Sequence, residues 1–149
     1  MSADLSLFPE LSDKEIQRRA DVLRWQYYDA NGLEEQFPIP VEVIAEQHLG
    51  YAIDILDDGL FSDPDYLGGI IFDQHVIQVN ATVEAHEGRY NFTLAHEIGH
   101  HVLHREIYLD ARGTEPCDIM CRETGEKPLV EVQADRFAAA LLMPAHAVS

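Results

Sequence analysis

The stretch FTLAHEIGHHVLH (residues 92–104) places four histidines and one glutamate in thirteen positions. Its other residues are mostly apolar and would cover most of the circumference of a helix. A helix buried on nearly all sides does not carry polar groups without partners, since an unpaired buried polar group costs about 1 to 3 kcal/mol. Gly99 costs about 1 kcal/mol of helix propensity relative to Ala, which indicates a close neighbour there. The stretch therefore predicts a central, buried helix whose histidines bind a metal ion.

The residues His96, Glu97 and His100 spell the pattern HExxH. Histidines four positions apart on a helix have Cβ atoms about 6 Å apart, so both rings can reach one zinc ion at about 2.0 Å. Glu97 lies about 100° around the helix from His96 and about 60° from His100, so it can face an open coordination position without being a ligand. We predict His96 and His100 as ligands of zinc, with manganese as the alternative metal, and Glu97 as a general base.

The spacing of His100 and His104 is the same, so spacing does not by itself choose the ligand pair. Glu97 follows His96 and could act as a base, whereas another histidine follows His100. His104 lies about 12 Å along the helix axis from His96, so no single ion can bind all three. We predict that His104 is a buried residue supporting a ligand, and that His101, about 140° around from His96, lies at the surface.

A catalytic zinc site needs a third protein ligand and one position left for water. The stretch EVQAD (residues 131–135) offers Glu131 and Asp135, one turn apart and so on one face of a predicted helix. Their apolar neighbours argue against two solvated acids. The arrangement would place Glu131 on the metal, while Asp135 accepts the free ring N–H of a ligand histidine.

Two cysteines, Cys117 and Cys121, offer a different ligand set. With the two HExxH histidines they could form a Cys2His2 site, which would be closed and structural. That alternative leaves Glu97 and both acids of EVQAD without a role. Free thiols are the simpler interpretation in a reducing compartment, and a thiol that masks the metal reversibly is a further alternative.

Helical signals flank this region. Ser12 and Glu15 have the spacing of a capping box, and apolar residues then recur at three- or four-residue steps (Ile16, Ala20, Leu23 and Tyr27). The predicted helices are one of about 18 residues up to Asn31-Gly32, a short one between Pro40 and Gly50, one from about Thr82 to His104, and a last one over residues 129–143 stopped by Pro144. A DNA-reading helix-turn-helix is the alternative for the first helix, but acidic residues among its three arginines reduce the positive charge that DNA binding needs.

Strand signals lie between these helices, in YAIDIL (51–56), YLGGIIFD (66–73) and HVIQVN (75–80). The last two are predicted to form a hairpin, and residues 106–128 an irregular excursion with one short helix. The expected fold is α+β, a single domain over residues 1–149 with a small, mostly antiparallel sheet of about three strands packed against helices. An edge of that sheet, for which residues 75–80 are a candidate, could bind a substrate as an added strand.

The charge of the chain limits its partners. Its 27 acidic and 10 basic residues give a formal net charge of -17, a field that repels phosphate backbones and anionic lipid surfaces. No apolar stretch approaches the roughly 20 residues needed to span a bilayer. The start, MSADLSLFPELSDKE, lacks the basic and apolar regions of a signal peptide. We expect a cytoplasmic protein that binds neither nucleic acid directly nor membranes.

RYNFTLAHEIGHHVLH (89–104) followed by EVQADRFAAALLMP (131–144) closely resembles the ImmA/IrrE family of metallopeptidases. PVEVIAEQHLGYAIDI (40–55) and HVIQVN are similar to that family in order and character, so the resemblance covers residues 12–144. It implies a zincin-like fold with a central HExxH helix, the zinc ligands His96, His100 and Glu131, and Glu97 as general base. Relatives often continue past the Leu-Leu-Met-Pro stretch, so the chain is expected to be a minimal or truncated member.

The resemblance also implies a function, because characterised relatives cleave a helix-turn-helix repressor. We therefore expect hydrolysis of a peptide bond in a protein partner of that kind. A non-proteolytic module that binds a partner protein, as a metal-holding regulator or as half of a toxin–antitoxin pair, is the alternative. Tyr90, Tyr108 and His75 are candidates for stabilising the oxyanion, and the sequence does not choose among them.

Overall fold

Helix α1 spans Asp13–Ala30. The structure is a computed structural model, and it describes residues 9–35, 38–57, 66–112, 118–122 and 128–143. The Ser12 side chain accepts a hydrogen bond from the Glu15 N–H at 3.1 Å, which confirms the predicted start of the helix. The four apolar positions of the predicted inward face are all buried (Ile16, Ala20, Leu23 and Tyr27).

One arginine of α1 is buried as well. Arg24 is 3% exposed, and its Nη1 donates to the carbonyl oxygens of Ala140 at 2.9 Å and Leu141 at 3.2 Å. These carbonyls lie in the last turn of helix α6 (Leu129–Leu142), where the helix leaves its acceptors unpaired. Arg24 therefore fastens α1 to the end of α6, and it does not stand on a surface that could read DNA.

A short helix follows α1, as predicted. Helix α2 (Val41–Val43) continues as one turn of π-helix (Ile44–His48), which the Leu49 N–H closes by donating to the Ile44 carbonyl at 3.0 Å. Gly50 has a φ of 78°, a left-handed conformation that glycine adopts without steric cost. This turn ends the helical segment and leads the chain into the sheet.

The sheet has four strands among the described residues, in the order β1-β3-β2-β4. Strands β2 (Tyr66–Ile71) and β3 (Val76–Asn80) form the predicted antiparallel hairpin, joined by a 3-10 turn (Phe72–Gln74) and His75. Strand β1 (Ala52–Leu56) pairs with β3 in parallel, and strand β4 (Asp118–Arg122) pairs with β2 antiparallel. The sheet is therefore mixed and mostly antiparallel, and the α+β fold class is confirmed.

Two expectations about the sheet were wrong. The stretch from residue 106 to residue 128 supplies a fourth strand, β4, besides the short helix α5 (Arg105–Arg112). Five residues are too few to show a clear alternation of apolar and polar side chains, so this segment forms a strand because it pairs with β2. Strand β3 lies between β1 and β2 and so is interior, whereas β1 and β4 are the edges. An added substrate strand would therefore have to pair with β1 or β4.

The HExxH helix is shorter than predicted. Helix α3 (Ala81–Glu84) is capped by Asn80, whose side chain accepts from the Thr82 N–H at 3.0 Å, and helix α4 (Glu87–Leu103) begins after a break at residues 85 and 86. Every residue of α4 from 93 to 100 is buried. The predicted buried helix is thus present, and α6 packs against it.

Gly99 lies where α4 and α6 come closest. A Cβ atom built on it would lie 3.2 Å from the Cα and the carbonyl oxygen of Ala134, and 3.2 Å from the Cβ of Phe137. Backbone atoms cannot rotate out of the way, so a side chain here would push the helices apart. The sequence-based expectation of a close neighbour at Gly99 is confirmed.

The substitution Gly99→Val is expected to destabilise the protein by about 1 to 3 kcal/mol, the usual cost of overfilling a packed core. The matched control is Gly88→Val on the same helix, because a Cβ at Gly88 would have no atom within 4 Å. Valine is a somewhat better helix former than glycine, so the control should retain full stability. Urea unfolding of the metal-free variants measures both, and equal midpoints for the two would contradict the close packing at Gly99.

Candidate metal centre

Helices α4 and α6 bring three metal-binding side chains together. The Nε2 atoms of His96 and His100 lie 3.2 Å apart, and they lie 3.0 Å and 2.9 Å, respectively, from the two carboxylate oxygens of Glu131. All three residues are buried. His96, His100 and Glu131 form a group whose ligand atoms lie within 4.8 Å of one another, so they can hold one metal ion.

Asp135 orients the first of the two histidines. Its Oδ1 lies 2.8 Å from Nδ1 of His96, and because a carboxylate only accepts, Nδ1 carries the hydrogen. The other ring nitrogen, Nε2, is then the atom that faces Glu131 and His100. This is the usual carboxylate–histidine arrangement of zinc sites, in which the second partner fixes the tautomer of the ligand.

The donor atoms fit a tetrahedral metal. A ligand set with bonds near 2.0 Å has ligand atoms about 3.3 Å apart, close to the three separations in this group. Two ring nitrogens and a carboxylate converge here, so positive charge must lie among them, either as protons or as a metal ion. A proton bridges one pair of atoms at a time, whereas a metal ion satisfies all three donors together. Imidazole and carboxylate are also the ligand types that zinc prefers in catalytic sites.

Glu97 is buried beside this group. Its side chain is 0% exposed, and both carboxylate oxygens lack a hydrogen-bond partner within the described part of the chain. Burial raises the pKa of Glu97 to about 8, with the charges of Glu131 and Asp135 acting in the same direction and His96 opposing them. A carboxyl group with a pKa near neutrality can both take up and release a proton, as a general base must.

Ionisation of Glu97 should destabilise the metal-free protein as the pH rises toward about 8, and this loss should dominate above about 6.5, where the buried histidines no longer oppose it. Because the folded pKa of Glu97 is raised, the folded state holds a proton that the unfolded state has released, and raising the pH favours unfolding by up to about 1.4 kcal/mol per pH unit. Urea unfolding of the chelator-treated protein at several pH values measures this slope. The variant Glu97→Gln should show a flatter profile and higher stability above pH 6.

Comparison with the Glu97→Gln variant separates the contribution of Glu97 to the pH dependence of stability from that of the buried histidines. Burial lowers the pKa of His104 to about 4, so His104 favours folding as the pH rises toward about 6.5, which is the opposite sign. Parallel stability profiles for the native protein and Glu97→Gln would show that Glu97 does not carry the extra proton.

His104 lies against His100, the second histidine of the group that can hold a metal. Its Nδ1 is 2.9 Å from Nδ1 of His100, and its Nε2 is 2.8 Å from Oε1 of Gln133. His104 was predicted to be a buried residue that supports a ligand, whereas Gln133 was not predicted to take part. Gln133 lies about 200° around α6 from Glu131, so periodicity assigned it to another face. A buried polar side chain within an apolar helix was the signal that could have found it.

His101 was predicted to lie at the surface, but it is only partly exposed. Its ring is half-buried, and its Nδ1 lies 2.7 Å from the hydroxyl oxygen of Tyr51. The two rings meet edge to face with centroids 5.2 Å apart. The segment that leads into β1 thus covers a side of α4 that the helical angle alone assigns to solvent.

The oxyanion candidates have the following surroundings. The Tyr90 hydroxyl donates to Oε2 of Glu42 at 2.8 Å. Tyr108 is 4% exposed and its ring packs against Phe72. His75 has a φ of 54° and its ring lies against Tyr51, with centroids 5.4 Å apart.

The cysteine alternatives fall largely outside the described residues. Cys117 lies outside them. Cys121 is described by its backbone, which pairs with Gly68 between β4 and β2. The competing Cys2His2 set and the masking thiol therefore stay untested expectations.

Comparison with known proteins adds a family. The model of a peptidase family described as the IrrE N-terminal-like domain matches residues 56–149. The match contains the HExxH helix and α6, and it begins at the end of β1. The comparison with curated proteins gives no match. Within the described residues, no helix is long and apolar enough to cross a bilayer. The matched segment covers more than half of the chain, and the protein therefore belongs to the ImmA/IrrE family of peptidases.

Proposed function

We propose that this protein is a zinc-dependent endopeptidase that cuts one peptide bond in a specific protein partner. The observation that carries the proposal is Glu97, a fully buried carboxyl group beside the group formed by His96, His100 and Glu131, with no hydrogen-bond partner among the residues that the structure describes. A structural metal site has no use for such a residue, whereas hydrolysis needs a base next to an open coordination position. Membership of a peptidase family supports the same reaction.

In this proposal, His96, His100 and Glu131 hold the metal, zinc or alternatively manganese. When bound, the metal supplies a Lewis acid that polarises the scissile carbonyl and lowers the pKa of water toward about 7. Glu97 accepts a proton from the attacking water and returns it to the leaving amine. Asp135 keeps the His96 ring in the tautomer that presents Nε2 to the metal.

The burial of Glu97 suits this task. Proton transfer is most efficient when the pKa of the base lies near the working pH, and burial raises the pKa of Glu97 toward that range. The same burial lowers the free energy of unfolding of the metal-free protein when Glu97 ionises, because the unfolded state accommodates the charged carboxylate more easily. Such a conflict between stability and activity is common at catalytic sites.

The substrate that we propose is a helix-turn-helix transcriptional repressor. The resemblance to the ImmA/IrrE family supports this class, and a formal charge of -17 would attract a basic DNA-binding protein while repelling DNA itself. The protein would then act on transcription through proteolysis and without direct contact with nucleic acid.

The test uses the repressor-like protein encoded next to the gene. The two purified proteins are incubated with zinc or with manganese, and intact-mass analysis is used to find one new pair of fragments whose masses sum to the repressor plus one water. The control is the same mixture after treatment with a chelator. A stable complex that yields no fragments with either metal would instead support a non-proteolytic regulator or an antitoxin partner.

A further inference from the structure

Gln133 is completely buried on α6, and both ends of its amide have partners. Its Nε2 donates to the carbonyl oxygen of Pro9 at 2.8 Å. A backbone carbonyl only accepts, so the amide nitrogen must face Pro9 and the amide oxygen must face the other way. The amide oxygen, Oε1, lies 2.8 Å from Nε2 of His104. The orientation of Gln133 is therefore fixed by the segment that precedes α1.

This orientation determines where His104 carries its hydrogen. An amide oxygen only accepts, so Nε2 of His104 must be the donor. His104 is 1% exposed, and burial disfavours a charged ring that carries hydrogens on both nitrogens. A neutral ring with its hydrogen on Nε2 has a lone pair on Nδ1. His104 therefore presents an acceptor to its next neighbour.

That neighbour is the ligand histidine His100. The two Nδ1 atoms lie 2.9 Å apart, a distance that requires one donor and one acceptor. Because His104 accepts, Nδ1 of His100 carries the hydrogen, and His100 presents Nε2 toward Glu131 at 2.9 Å. His100 thus reaches the same tautomer as His96, but through an uncharged chain of residues and without a carboxylate.

We propose that Gln133 is a positioning residue that, through His104, sets the ring tautomer of His100 and so prepares the second histidine for the metal. The proposal rests on the proposed metal site. An uncharged support would leave the centre less negative than a second carboxylate would, since Glu131 and Asp135 already bring two negative charges. It also ties the metal site to the segment before α1 through Pro9.

The test separates the acceptor role of Gln133 from its attachment to Pro9. Gln133→Leu removes both the acceptor for His104 and the donor to Pro9. Gln133→Glu keeps an oxygen that accepts from His104, and in its ionised form it loses the donor to Pro9. Zinc dissociation constants, measured by competition with a chromophoric chelator, should rise about 10- to 100-fold for Gln133→Leu, as for other residues that support a metal ligand. The Gln133→Glu variant should bind zinc about as tightly as the native protein.

A second measurement needs no variant. Long-range 1H–15N correlation spectra of the zinc-free native protein should show hydrogen on Nδ1 of His100 and on Nε2 of His104. The opposite assignment would overturn the proposal even if Gln133→Leu fails to fold. Native zinc affinity in Gln133→Leu would also overturn it, and an equal loss in both variants would assign Gln133 to holding Pro9 instead.

These outcomes are distinct from failure of the proposed function. A native protein that binds no zinc would refute the metal site, while the spectra would still report the two tautomers. A native protein that binds zinc but cleaves no repressor would refute the peptidase proposal and leave the role of Gln133 standing.

Discussion

The substitution Glu97→Gln is expected to abolish peptide cleavage while leaving the metal in place. Glutamine has nearly the same shape but cannot take up the proton of the attacking water, and loss of a general base typically lowers rates by about 10²- to 10⁴-fold. Glu97 is not one of the three grouped side chains that can bind the metal, so the zinc content should not change. Cleavage rates from intact-mass analysis, together with zinc per chain from elemental analysis, measure both effects.

The matched control is Glu87→Gln, since Glu87 is an exposed glutamate on the same helix. It should cleave at the native rate. A Glu97→Gln variant that still cuts its partner would rule out Glu97 as the base. A variant that loses its zinc would indicate that the buried carboxylate holds the metal instead.

The second large effect is expected for Glu131→Ala, which should lose the metal. Two histidines remain after this change, and the loss of a direct ligand should weaken zinc binding by more than the roughly 10- to 100-fold typical of a residue that only supports a ligand. Zinc content after dialysis and dissociation constants from chelator competition measure this loss. Cleavage should disappear with the metal.

Asp135→Asn is a milder substitution at the same site, and its zinc affinity can be compared with that of Glu131→Ala. It removes the carboxylate that accepts from His96 but keeps every proposed ligand, so its affinity should lie between those of the native protein and Glu131→Ala. Native zinc content in a folded Glu131→Ala variant would refute the ligand role of Glu131. Cys117 and Cys121 would then be the next residues to replace.

The helices were predictable because their signals are local. The cap at Ser12, the apolar steps of α1 and the apolar length of α6 each depend on residues within a few turns of one another. The hairpin of β2 and β3 was predictable for the same reason. Strand β4 was not, because its partner β2 lies about fifty residues earlier in the chain, and the interior position of β3 depends on where β1 docks.

The metal site, too, has features that depend on local sequence and others that depend on contacts between distant residues. The sequence by itself determined that His96 and His100 lie one turn apart with a carboxylate between them, because helix geometry fixes those positions within five residues. The sequence also predicted that Glu131 and Asp135 would join them, but only the tertiary structure decided which atoms meet and which groups are buried there. Packing of α6 against α4 at Gly99 brings Glu131 against both rings, buries Glu97 with no partner in the described part of the chain, and places Gln133 against His104. These contacts join residues about thirty positions apart, and a pKa or a tautomer depends on the groups that surround a side chain in space.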